Sequence, residues 1–143
     1  MLIEIINTGG PSAVISAMGL QGPAGNTVNA IAGQVLSALR IVHIDPITSK
    51  VLYADKDIPN TAISLLGVTT QSVTADVAVN VQTFGILSDN GWNWNINGEL
   101  HLFLGANGTI VQGVPTGAVV ARIGHIISST TIFIRAGEPV LTT

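Results

Sequence analysis

A chain of 143 residues has room for one domain of ordinary size. Only 9% of its residues are charged, against roughly a quarter in an average soluble domain, and five Lys and Arg are too few to build a phosphate-neutralising surface, which excludes nucleic acid as a partner. Cysteine is absent, so disulfides and thiolate metal centres are excluded as well.

The net charge is -3 and hydrophobic residues make up 47% of the chain. A free monomer of this composition has a weakly repelling surface, whereas a subunit that hides surface against neighbours needs less solubilising charge. Composition therefore points to an assembly subunit. The uncharged stretch from residue 5 to residue 39 is broken by Pro11, Pro23 and several glycines among Ser, Thr, Asn and Gln, so no run of about 18 apolar residues survives to cross a membrane as a helix. The first residues carry Glu4 and no basic cluster ahead of an apolar core, which is not the pattern of a signal peptide and fits assembly in a cytoplasm.

In chain order, the Ile-rich residues 2 to 7 predict a short strand or extended arm stopped by Gly9-Gly10-Pro11. Gly19-Leu20-Gln21-Gly22-Pro23-Ala24-Gly25 has glycine at every third position for only two triplets, too few for a collagen helix, and reads as a linker. Residues 26 to 33 predict a turn or two of helix without a stable apolar face. Residues 1 to 33 are thus expected to form an extended arm, and residues 34 to 143 a β domain.

From Gln34 onward the periodicity is that of strands. Residues 35 to 44 and 50 to 54 predict a hairpin across Asp45-Pro46, and residues 62 to 68 a further strand. Residues 76 to 84 alternate, with Val77, Val79 and Val81 on one face and Ala78, Asn80 and Gln82 on the other. Residues 99 to 104 repeat the pattern with leucines inward. Asn107-Gly108 is a strong hairpin turn leading to Thr109-Ile110-Val111. Residues 117 to 127, 130 to 135 and 139 to 141 complete an all-β domain, a small sandwich or barrel.

No catalytic constellation emerges. Asp55-Lys56-Asp57 reads as a solvated turn, and Pro59 occupies the place where a calcium loop needs its next ligand. There is no G-x-S-x-G elbow and no phosphate loop, so no catalytic residue, cofactor or cofactor-binding residue is expected. His43, His101 and His125 lie in separate predicted strands without chelating spacing, and no metal ligand is expected among them. Trp92 and Trp94, separated by Asn93, fall on one face of an extended segment and are candidate interface anchors, with an exposed sugar platform as the alternative use of the pair.

Several stretches, quoted as they stand, carry a resemblance. They are Ile41-Val42-His43-Ile44-Asp45 leading to Ser49-Lys50-Val51-Leu52-Tyr53-Ala54-Asp55, then Leu66-Gly67-Val68, Val79-Asn80-Val81-Gln82-Thr83-Phe84-Gly85, Gly91-Trp92-Asn93-Trp94, the run from Leu102 to Gln112, and Arg122-Ile123-Gly124-His125-Ile126-Ile127. Over residues 34 to 135 the chain resembles the head decoration, or cement, proteins of tailed bacteriophages. The resemblance implies a compact β domain that forms a homotrimer on the outside of the capsid, with the major capsid protein as partner, no nucleic acid or membrane contact, and residence in the virion. It also implies a capsid-binding arm, for which Leu2, Ile3, Ile5 and Ile6 are the candidate residues. Removal of residues 1 to 33 is then expected to leave a folded trimer that no longer binds capsids. The Gly-Pro-Ala-Gly stretch departs from that pattern and is similar to the starts of phage tail fibre and spike proteins. A tail fibre, spike or baseplate component with a host-binding role is the alternative.

Overall fold

A computed structural model describes residues 26–142. It is all-β, as the periodicity predicts, with one short helix and one 3-10 turn among its strands. The first sheet has the order β1 (Thr27–Ile31), β5 (Ala78–Gln82), β4 (Leu65–Thr69), β2 (Ile41–Ile44), β3 (Val51–Tyr53). The second has the order β6 (Gly85–Ser88), β11 (Thr131–Ile134), β10 (Arg122–Ser128), β7 (His101–Leu104), β8 (Ile110–Gln112), and β9 (Val119–Val120) pairs with β12 (Val140–Leu141). Every ladder between these strands is antiparallel.

The two sheets share a sandwich-like core. Ile41 and Val68 of the first sheet join Leu102, Leu104, Ile123, Ile126, Ile132 and Ile134 of the second, all at most 5% exposed. The opposite face of the first sheet is also apolar: Val42, Val51, Val79 and Val81 enclose a second core with Ala32 and Leu36. The sheet can hold an interior of its own because it curls. Beyond β1 the chain reaches β3, where Ala32 bridges Val51 in parallel and the Gly33 amide donates to the Val51 carbonyl at 2.8 Å. The Gln34 side chain then accepts from the Tyr53 amide at 2.9 Å, and Leu36, 1% exposed, plugs the interior. Continuous apolar pairs such as Ile41-Val42 follow from this arrangement, since both faces of β2 are dry.

The β2–β3 hairpin, β5 with Val79 and Val81 buried, and the β7–β8 hairpin agree with the sequence reading, whereas Val77, expected on the same face, precedes the strand and is exposed, and Gln82, expected on the wetter face, is buried. The last hairpin turns at Asn107 (φ 52°) and Gly108 (φ +74°), and the Thr109 amide donates to the Ala106 carbonyl at 3.1 Å, which is a type I′ turn. Three expectations are corrected. Residues 26 to 33 do not form helix or a free arm: Thr27–Ile31 is a strand in register with β5, so the ordered domain includes this segment. Residues 35 to 40 are not strand, because Leu39 takes φ 63° and Thr69 binds the turn by accepting from the Arg40 amide and donating to the Ser37 carbonyl. Residues 62 and 63 belong to helix α1 (Pro59–Ile63), which begins at a proline suited to a first helical turn. The candidate arm residues Leu2, Ile3, Ile5 and Ile6 lie outside the described residues.

Candidate functional site

The molecule's candidate site is a surface. Sixteen large hydrophobic side chains are exposed among the described residues, including Phe84, Ile86, Ile127, Ile63 at 72% and Leu141 at 61%. A hollow of about 310 Å³ opens between α1 and the β9–β12 pair, lined by Pro59, Ile63, Val119, Glu138, Pro139 and Leu141. Its lining residues are apolar apart from Glu138, which supplies its one charge.

Trp92 and Trp94 stand on the long loop between β6 and β7. Asp89 starts the turn by accepting from the Gly91 amide at 3.0 Å, and the Trp94 amide donates to the Ser129 carbonyl at 2.9 Å, which ties the loop to the β10–β11 connection. Gln112 of β8 closes the far side, its amide nitrogen donating to the Asn95 and Glu99 carbonyls at 2.7 Å each. The two indoles meet at 5.6 Å between ring centroids and 49° between planes, half-buried against the shared core. They present one side to the core and one to solvent, and the Trp94 indole N–H is buried without a partner among the described residues.

The outward face of the second sheet carries a row that spans four strands. Ile86, Phe133, His125 and His101 are successive register partners on β6, β11, β10 and β7. Phe84 packs edge-on against Phe133 at 5.1 Å, and the His125 ring stacks on Phe133 at 5.5 Å and 14°. His101 Nδ1 lies 2.6 Å from Glu99 Oε2. That carboxyl is held below the usual range, first by the His101 backbone amide and then by the His101 ring. Sequence spacing separates His101 from His125 by more than twenty positions; only the antiparallel register of β7 and β10 brings them side by side.

The remaining polar residues hold loops. Asp55 accepts from the Asp57 amide at 2.8 Å with one oxygen and from the Asn107 amide at 3.1 Å with the other, so the expected solvated turn also anchors the β7–β8 turn. His43 is nearly buried, with Nδ1 3.1 Å from Ser64 Oγ, and burial pushes its pKa below the ordinary imidazole value. Comparisons of the chain with models of known protein families and with curated proteins find no match.

Proposed function

We propose that this chain is a structural virion protein, a decoration or cement protein that binds the outside of a phage head as a homotrimer and stabilises the shell. The observation that carries the reading is the amount of exposed apolar surface on a chain with 9% charged residues: Phe84, Ile86, Ile63, Val140 and Leu141 are open in the isolated subunit. Surfaces of this kind belong to proteins that cover them with neighbours. A cement protein stabilises by binding the assembled shell in preference to its parts, a mass-action effect that requires no reacting groups.

The half-buried Trp92–Trp94 pair favours a second reading, a tail fibre, spike or baseplate component, because aromatic faces open on one side suit contact with a host glycan. One experiment separates the two. Purified protein is mixed with expanded capsids lacking it, sedimented and imaged by electron microscopy. Three-fold density on the shell is the expected result; no binding to heads, with density on tails in whole virions, overturns the head assignment and favours the second reading.

A further inference from the structure

His101 and His125 face each other across β7 and β10 as register partners, on the outward face of the second sheet. Directly opposed residues of an antiparallel pair place their Cβ atoms about 4.5–5.5 Å apart on the same side of the sheet, a spacing that lets two imidazoles converge on one ion at Zn–N distances of roughly 2.0–2.1 Å. His101 is half-exposed, and no hydrogen bond to the His125 ring is made among the described residues. We propose that His101 and His125 form a chelating pair for a divalent transition ion of the imidazole-preferring class, Zn²⁺, Ni²⁺ or Cu²⁺.

One further contact prepares the pair, and another is released when it binds. Glu99 Oε2 sits 2.6 Å from His101 Nδ1. An ionised carboxylate only accepts, so this contact keeps the proton on Nδ1 and leaves the Nε2 lone pair of the neutral ring for the metal, the arrangement found behind histidine ligands in metalloproteins. On the other strand, the His125 ring stacks on Phe133 of β11, which flanks β10 on the side away from β7, so binding draws the ring off Phe133 toward His101. No group of three or more His, Asp or Glu forms a full ligand set among the described residues, so water, or a ligand from a second molecule, fills the ion's other positions.

The test is titration of the full chain with Zn²⁺ alone in a non-chelating buffer, followed by imidazole NMR signals and by calorimetry. The His101 and His125 ring signals are expected to shift together and saturate at one ion per chain, while His43, buried beside Ser64, stays in place. Either His101→Ala or His125→Ala is expected to abolish the calorimetric signal, and Glu99→Gln to weaken binding by about tenfold or more. Unmoved His101 and His125 signals in the wild-type chain, or binding that survives both histidine substitutions, overturns the proposal. The NMR arm needs no variant, so a misfolded substitution leaves the test intact.

Discussion

His43 shows how a single burial event sets a pH response. Desolvation lowers its folded pKa, and the Ile44 backbone and Asp45 only partly offset this. The unfolded chain therefore binds a proton more readily, so the stability linked to His43 is fully present above the ordinary value near 6.5 and is lost as pH falls through the lowered folded value. Urea denaturation between neutral and mildly acidic pH should show stability declining in the wild type and a flatter profile in His43→Gln. Trp94 makes a different case, a polar atom with no partner among the described residues. Its N–H is buried while the ring packs on the shared core. Trp94→Phe keeps most of the packing and removes the orphan donor, and is expected to leave stability unchanged or raise it by up to about 1 kcal/mol. Trp94→Ala, which loses the packing too, should cost roughly 2–3 kcal/mol in the same denaturation assay.

Elements were legible in the sequence where local chemistry decides them. Asn107-Gly108 announces a type I′ turn because both central positions need positive φ, and the structure places the turn there. Val79 and Val81 announce a buried face by alternation. Legibility fails where a distant partner decides. The apolar run ahead of β2 has strand composition, yet Thr69 holds Leu39 and Arg40 in a turn through bonds that span about thirty residues. Thr27–Ile31 has few strand signals, yet β5 supplies its ladder. The chelating histidines belong to the same class: each is unremarkable in its own strand, and their pairing exists only in the register between strands. Truncation tests the corrected boundary. Removing residues 1 to 25 spares the described strands, whereas removing residues 1 to 33 deletes β1 and the Ala32 bridge to Val51 and should destabilise the domain sharply, seen as a lower thermal midpoint or as insoluble product. Just beyond β1, Leu36→Ala empties the plug of the enclosed core and is expected to cost about 2–5 kcal/mol in urea denaturation.

At the scale of the whole molecule, the all-β class was legible in the turn spacing; the curl of the first sheet was not, because closure depends on where the chain goes after β1. That curl gives the first sheet two cores, one shared with the second sheet and one enclosed by itself. The consequence is a ranked order of opening. Separation of the sheets strips the shared core but leaves Val42, Val51, Val79 and Val81 sealed around Leu36, so local unfolding should stop at an intermediate rather than run to completion. Hydrogen exchange is expected to resolve two cooperative units, with amides of β2 and β5 outlasting those of β10 and β11. A chain built this way can loosen the half of itself that carries the aromatic and histidine row while the other half keeps its shape.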